Sequence, residues 1–366
     1  MRLLLVSASL LAVAAVAAPA ASARVPRTFY GIVPGAPLTQ SDFNRMSNAR
    51  VGSLRLLFYW PTIQPTHRGP LNWGSIDQAV AEAARAHISV LPVLVGTPAY
   101  EASGCTRHRC TVQIRFKTKS ERRDWQAFVT AAARRYGRNG DFWSANPGLP
   151  YEPVTRWEIW NEESNPGERN PPGVYAKLLN STDKTIHTVD ANAQIVIGGM
   201  FGTPRGGRKR RAWSYLARLY EAGAGKHFNA AALHPYSRTI SGIRTQIRRM
   251  RRVLKRHGDG HRQILITEIG WGSSRKRYPG TRSRGAVFNV SPTRQKRNLA
   301  RSFGLLTNNR RSWRIGGVYW FQWKDPTNPP PGLCAFCYSS GLYEADGETA
   351  KPALSAYERF TGKARG

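Results

Sequence analysis

The chain has 366 residues, 41% of them hydrophobic and 10% aromatic, with 11 Trp, 14 Tyr and 13 Phe, enough to bury a substantial core. A disordered tail and a small disulfide-knotted domain are thereby excluded. The formal charge of +33 will dominate long-range encounters with other charged bodies and points to polyanions nearby, without naming one.

Met1 and Arg2, the apolar stretch Leu3 to Ala18 and then Ala21-Ser22-Ala23 follow the order of a secretory signal: charged start, hydrophobic centre, small-x-small cleavage site. Residues 1–23 are therefore set apart as a signal peptide, and residues 24–366 are taken as the folded unit. No later run approaches the roughly 18 to 20 apolar residues needed to cross a bilayer. The expected protein has no membrane span and lies outside the cytoplasm, secreted or periplasmic.

Short β-branched or aromatic runs then alternate with segments of helical period. The runs begin near Phe29, Ser53, Ser89, Thr155, Gln194, Asn229, Gln263 and Gly316. Between them the pattern predicts helices over Ser41 to Asn48, Ser75 to His87, Glu121 to Tyr136, Gly173 to Val189, Ala212 to Ala222, Ile243 to His257 and Thr293 to Asn308, with a last one over Pro352 to Phe360. Eight strand-helix units imply an α/β fold, a single-domain (β/α)8 TIM barrel, rather than an open doubly wound sheet. No G-x-G-x-x-G or P-loop follows the first run, so nucleotide binding lacks its usual sign. The longest connections follow the third and seventh strands and belong at the C-terminal face, where loops build a site.

Two strand ends carry carboxylates. The fourth run reads Trp157-Glu158-Ile159-Trp160-Asn161-Glu162-Glu163, and the seventh Ile264-Leu265-Ile266-Thr267-Glu268-Ile269-Gly270-Trp271. A carboxylate in an apolar strand is expensive unless paired, so one at each of two ends invites a functional explanation. Two carboxylates flanking a glycosidic bond are what acetal hydrolysis needs.

A strand ending W-x-W-N-E, then H-x-Y, then I-T-E-x-G-W resembles the clan of retaining (β/α)8 glycoside hydrolases called clan A, with segments most similar to its β-xylosidase-like and cellulase-like families. The resemblance implies that Glu162 is the general acid/base and Glu268 the nucleophile. It implies that Asn161 grips the sugar 2-hydroxyl, that His234 and Tyr236 line the site with Tyr236 bonding the nucleophile, and that Arg55 lies beside the nucleophile. It implies an aromatic floor from Trp320 or Trp323, with no metal and no organic cofactor. Glu268 is then expected to stay ionised and Glu162 to hold its proton longer, with the carboxyl groups about 5 to 5.5 Å apart. The clan usually has Pro after the acid/base glutamate, where this chain has Glu163.

Blander roles stand beside these. Strand alternation puts Glu158 on the inward side with Trp160 and Glu162, where a structural ion pair suits it better than catalysis, and Arg55 could be its partner. Glu163 reads equally as a bulk-exposed neighbour or a subsite contact. His234 could be a satisfied core histidine, and one of Trp320 and Trp323 is expected to be core. Trp60, Trp271 and Tyr100 are further candidates for sugar stacking.

The four cysteines fall in two close pairs, read as local disulfides Cys105 to Cys110 and Cys334 to Cys337, against a four-thiolate zinc site that an oxidising compartment disfavours. In the sixth helix Ile243, Ile247, Met250 and Leu254 recur at helical spacing, placing Arg244, Arg248, Arg249, Arg251, Arg252 and Arg256 mainly on the solvated side. The loop clusters Arg205 to Arg211, Arg275 to Arg277 and Arg282 to Arg284 follow the fifth and seventh strands and could rim the cleft. There an acidic glycan or anionic cell-wall polymer would gain affinity and lose it in salt. The reading is a monomeric secreted hydrolase of β-linked O-glycosidic bonds in a polysaccharide, oligosaccharide or glycoside, acting on a carbohydrate partner. Two rivals are a catalytically idle carbohydrate-binding barrel and an extracellular nucleic-acid-binding protein; no nucleic-acid motif supports the second.

Overall fold

A computed structural model describes residues 25–102, 113–165, 170–203, 207–274, 285–329 and 333–362. Eight parallel strands, β1 (Tyr30–Val33), β2 (Ser53–Tyr59), β3 (Ser89–Val95), β4 (Arg156–Asn161), β5 (Gln194–Phe201), β6 (Ala230–His234), β7 (Gln263–Ile269) and β8 (Ile315–Phe321), pair in sequence order. The barrel closes where β8 pairs with β1. Each strand is followed by one helix of the outer ring: α1 (Gln40–Asn48), α2 (Gly74–Arg85), α3 (Lys119–Tyr136), α4 (Pro172–His187), α5 (Ala212–Glu221), α6 (Ile240–Arg256), α7 (Pro292–Asn308) and α8 (Pro352–Thr361). This is the (β/α)8 barrel expected from the alternation, and every strand begins within a residue of its predicted start.

Helix starts are fixed locally. Thr39 with Asp42 and Thr118 with Glu121 form capping boxes that satisfy the free amides opening α1 and α3. Pro172, Pro292 and Pro352 open α4, α7 and α8, where a missing amide proton is harmless.

Burial divides into two main cores and a small cluster of Tyr236, Phe336 and Cys337. The larger lies between strands and helices. The smaller fills the barrel interior with Val33, Leu91, Val196, Ala230, Ala232, Leu265 and Tyr319. Gly31 has no Cβ because the Tyr319 ring takes that space; a Cβ there would lie 2.4 Å from it. Apolar filling therefore closes the barrel, and polar side chains such as Arg55 and Glu158 sit within it in a mutual ion pair.

One expectation about the basic residues is corrected. Arg251 is buried on α6, not solvated, because its guanidinium donates to the carbonyls of Gly260, Arg262, Trp313 and Arg314 and ties the loops before β7 and β8 together. Burial and the nearby Arg314 charge pull its pKa down to about 10. Arg244, Arg248, Arg252 and Arg256 are exposed as expected, and Arg249 is half-buried.

Cys334 and Cys337 form a disulfide, which consumes two thiolates that a zinc site would require. Cys105 and Cys110, the proposed signal peptide, and the clusters Arg275 to Arg277 and Arg282 to Arg284 lie outside the described residues, as do Arg205 and Gly206. Among the described residues no helix is long and apolar enough to cross a membrane.

Candidate active site

The polar side chains named from the motifs converge at the C-terminal mouth of the barrel. Arg55, on β2, is the hub. Its Nε and Nη2 donate to the two oxygens of Glu158 at 2.8 and 2.9 Å, its Nη1 donates to Glu268 Oε1 at 2.7 Å, and Nη2 also donates to Asn161 Oδ1 at 2.8 Å. The two sequence alternatives for Arg55 are therefore both realised: the planar fork serves Glu158 and Glu268 together. Burial alone would lower the Arg55 pKa, but Glu158 and then Glu268 outweigh it and raise it, so the cation persists.

Glu268 receives a second donor, the Tyr236 hydroxyl at 2.9 Å on Oε2. Burial, with Glu268 and Glu162 adding, raises the Tyr236 pKa well above the ordinary value, so the phenol remains a donor. Glu162 meets His234 Nδ1 at 3.0 Å through Oε1 and accepts from Asn165 at 3.0 Å through Oε2. His234 Nδ1 is also 3.5 Å from Glu268 Oε2. One oxygen of Glu162, one of Glu268 and a ring nitrogen of His234 lie within 4.8 Å of one another. The Glu162 and Glu268 side chains stay 16% and 11% exposed, so both reach the cleft, whereas Glu158 is sealed.

His234 is fully buried, and burial pushes its pKa down to about 4, so the ring is neutral near pH 7. Its Nε2 meets Thr267 Oγ1 at 3.1 Å, and Thr267 donates to Glu158 at 3.3 Å. A polar chain thus runs from the sealed Glu158 through Thr267 and His234 to Glu162. Gly199 makes room for it, since a Cβ at that position would lie 1.9 Å from His234 Nε2.

The backbone at the end of β4 departs from simple alternation. Trp160 and Glu162 both adopt left-handed φ values, 71° and 49°. The expectation that Trp160 shares an inward face with Glu158 is accordingly corrected: Trp160 packs on Trp125 of α3, outside the barrel, while Asn161 turns in to Arg55. Two such residues flanking Asn161 are costly and persist only where neighbours over-determine them.

Glu163 is neither bulk-exposed nor a subsite contact. It is fully buried, and neither carboxyl oxygen finds a well-aligned hydrogen bond. Its nearest polar neighbours are its own amide and the Tyr175 hydroxyl; that hydroxyl already donates to Ile159 O and accepts from Gly198 N. Burial, with Glu158 and Glu162 adding, pushes the Glu163 pKa up to about 8. Gly198 must lack a side chain here, because a Cβ would lie 1.8 Å from a Glu163 oxygen.

The aromatic floor is not where the motif pointed. Trp320 and Trp323 are both fully buried, their indole nitrogens donating to Ser340 O and Asp42 Oδ1, so neither presents a face to the cleft. The half-buried Phe321 between them faces Tyr236, ring centres 6.4 Å apart. Phe201, Phe288 and Phe336 complete a wall around Tyr236 at 5.5, 5.8 and 4.9 Å. The Cys334–Cys337 disulfide brackets Phe336, and Gln322 donates to Cys337 O at 2.7 Å, fixing that loop to the end of β8. The signal for this wall was the string Cys334-Ala335-Phe336-Cys337, read only as a disulfide. Of the other stacking candidates, Trp60 and Trp271 are buried and Tyr100 is partly exposed, its hydroxyl on Gln64.

Glu162, His234 and Glu268 have the ligand types to approach a cation, but Glu268 is already paired with Arg55 and accepts from Tyr236. A second grouping, His67, Glu101 and Asp124, lies on the β2 and β3 loops and the start of α3. There burial and Asp124 push Glu101 up to about 7, so the two carboxyls share a proton.

Solved structures of several glycoside hydrolases share this barrel fold. They include a family 39 glycoside hydrolase from Bacteroides cellulosilyticus (18% identity, 91% of this chain and 63% of that one, TM-score 0.66). A GH5_18 protein from Streptomyces cattleya in complex with GlcNAc gives 14% identity over 94% of this chain and 81% of that one, TM-score 0.67. An intracellular xylanase from Thermoanaerobacterium saccharolyticum, bound to xylotetraose, gives 13% identity over 91% and 98%, TM-score 0.60. The chain thus spans under two thirds of the family 39 protein. No family model and no curated protein matches the sequence. The resemblance read from the short motifs extends to the whole fold.

Proposed function

We propose that the protein is a secreted retaining glycoside hydrolase that cleaves a β-linked glycan or glycoside by double displacement. The observation that carries the reading is the approach of Glu162 and Glu268 oxygens to within 4.8 Å. Inverting enzymes hold their carboxyl groups about 6.5 to 9.5 Å apart to admit a water and retaining ones about 5 to 5.5 Å, and an approach of single oxygens this close favours the shorter class.

In this mechanism Glu268 is the nucleophile. Arg55 and Tyr236 aim it, one donor on each oxygen. Glu162 protonates the leaving oxygen, and the bond from the anomeric carbon to that oxygen breaks as the bond to Glu268 forms. Glu162, now a carboxylate, takes a proton from water as the water attacks the glycosyl-enzyme and releases Glu268. Asn165 donates to Glu162 Oε2 and holds it in place through both steps, and His234 Nδ1 meets the other oxygen while that oxygen carries the proton. Asn161, its side-chain oxygen fixed by Arg55, offers its amide nitrogen to the sugar 2-hydroxyl, and Phe321 and Phe336 supply the apolar surface expected of Trp320 or Trp323.

The test is hydrolysis of a panel of aryl β-glycosides and β-linked oligosaccharides by wild type, Glu162→Ala and Glu268→Ala, with the first-formed anomer followed by proton NMR. The expected result is retention by wild type and loss of about 10²- to 10⁴-fold or more in each variant. Inverted product, or undiminished turnover by Glu268→Ala, refutes the assignment.

A further inference from the structure

Tyr236 has a second neighbourhood. Away from Glu268 it forms part of the wall of an open cavity of about 670 Å³ built by the connection from β6 to α6, the start of α5 and the segment around Phe288. Three arginines line this cavity: Arg211, Arg238 and Arg249. Arg211 and Arg249 are half-buried and share one indole, their guanidinium carbons 5.7 and 4.8 Å from the centre of the Trp213 ring. Among the described residues no Asp or Glu lines the cavity, and none of the three arginines makes an ion pair.

Partly buried arginines elsewhere are of both kinds: Arg218 lies over Tyr215 with no ion pair among the described residues, and others are paired. Arg135 and Arg138, also partly buried, each hold a carboxylate, on Asp77 and Asp190. Arg211 and Arg249 instead both lie over the Trp213 ring, and with Arg238 they put three cations on the wall of one cavity, where an anion would be attracted by all three. Guanidinium forks match the two oxygens of a carboxylate or sulfate, and an indole suits the apolar face of a sugar ring. The cavity also shares Tyr236 with the carboxylate pair, since the Tyr236 hydroxyl lies 2.9 Å from Glu268.

We propose that this cavity is a substrate subsite for an anionic sugar residue, whose carboxylate or sulfate is bound by Arg211, Arg238 and Arg249 while the neighbouring residue enters the cleft. The proposal rests on the glycosidase reading for the position of the subsite next to the cleaved bond. It assigns the substrate to the acidic glycans.

The experiment is calorimetric titration of the Glu268→Ala protein with three β-1,4-linked tetrasaccharides: cellotetraose, its oligoglucuronate counterpart and its 6-sulfated counterpart, at low and high salt. The titrations are repeated with Arg211→Gln/Arg249→Gln added, and with a control pair, Arg244→Gln/Arg248→Gln, exposed on α6. At least one anionic member is expected to bind about ten-fold or more tightly than cellotetraose at low salt, with comparison of the two anions naming the group. That advantage falls about ten-fold in the cavity variant and less than about two-fold in the control. Equal affinity for neutral and anionic members, or equal losses in the two arginine pairs, overturns the proposal in favour of diffuse charge. Hydrolysis by protein with Glu268 intact separates the two readings. Cavity-dependent binding without cleavage of any member counts against the glycosidase assignment alone, and cleavage with no preference for the anionic members counts against the subsite alone.

Discussion

Glu163 makes stability depend on pH in a direction opposite to that of an ordinary surface carboxylate. Its pKa rises from about 4.5 to about 8 on burial. Between those values the folded protein carries a proton on Glu163 that the unfolded chain has lost. Folding then takes up one proton, and stability falls as pH rises, by about 1.4 kcal/mol per pH unit. The contribution is fully present below pH 4.5 and is lost as pH climbs through 8. Replacing Glu163 by Gln keeps the shape and the poor hydrogen bonding of the site but removes the titration. Any penalty for burying the amide is independent of pH. The stability of Glu163→Gln relative to wild type should therefore increase by about 2.5 kcal/mol from pH 5 to pH 7 and level off above pH 8. Urea denaturation of both proteins at one-unit intervals reads this slope directly. The groups facing Glu163, which are Glu158, Glu162 and Tyr175, are common to both proteins, so their own titration largely cancels in the difference. A difference that stays flat within about 0.5 kcal/mol across that range would show that Glu163 is ionised in the fold, and the account of its burial would be wrong.

Arg55→Met leaves Glu158 and Glu268 without their cation and should lower stability by about 3 to 5 kcal/mol, seen as a drop in urea midpoint; Arg55→Lys should recover only part of this, because one ammonium cannot serve three acceptors in a fixed plane. Full recovery by lysine would contradict the hub. Tyr236→Phe removes a single bond to Glu268, about 1.5 to 3 kcal/mol, so kcat/KM on an aryl glycoside should fall about 10- to 100-fold with the fold intact by circular dichroism. An unchanged rate would remove Tyr236 from the chemistry. His234 works in the other pH window: its pKa is depressed to about 4 by burial, so the neutral ring stabilises the fold above its unfolded value near 6.5 and that contribution is lost as pH falls toward 4. The stability gap between wild type and His234→Gln should narrow over that interval, and a constant gap would mean that the ring is charged in the fold.

How far the sequence disclosed this site depends on what each feature is made of. Strands buried on both faces must be apolar runs, and the eight runs stood out for that reason; their ends, where polar residues begin, are where Asn161, Glu162, His234 and Glu268 come together. Arg55 was conspicuous as one charge in an apolar strand, but sequence offered a choice between Glu158 and Glu268 because pairing counts one partner at a time, whereas a guanidinium fork has donors for both. Alternation failed at Trp160 because it assumes extended backbone, and a single left-handed residue rotates everything after it. The same turn drives Glu163 under the strand rather than into solvent, which no pattern of polarity predicts for a glutamate. Trp320 and Trp323 misled in the reverse sense. They differ in parity, so simple alternation lets one face the cleft, yet the chain leaves β8 after Phe321, Trp320 finds Ser340 O on the loop folded back over the strand end and Trp323 finds Asp42 on α1, and the smaller phenylalanine is left facing the site. The motif marked the strand end, but which ring occupies it was decided by contacts distant in sequence, Trp320 with Ser340 and Trp323 with Asp42, where hydrophobic period carries no information.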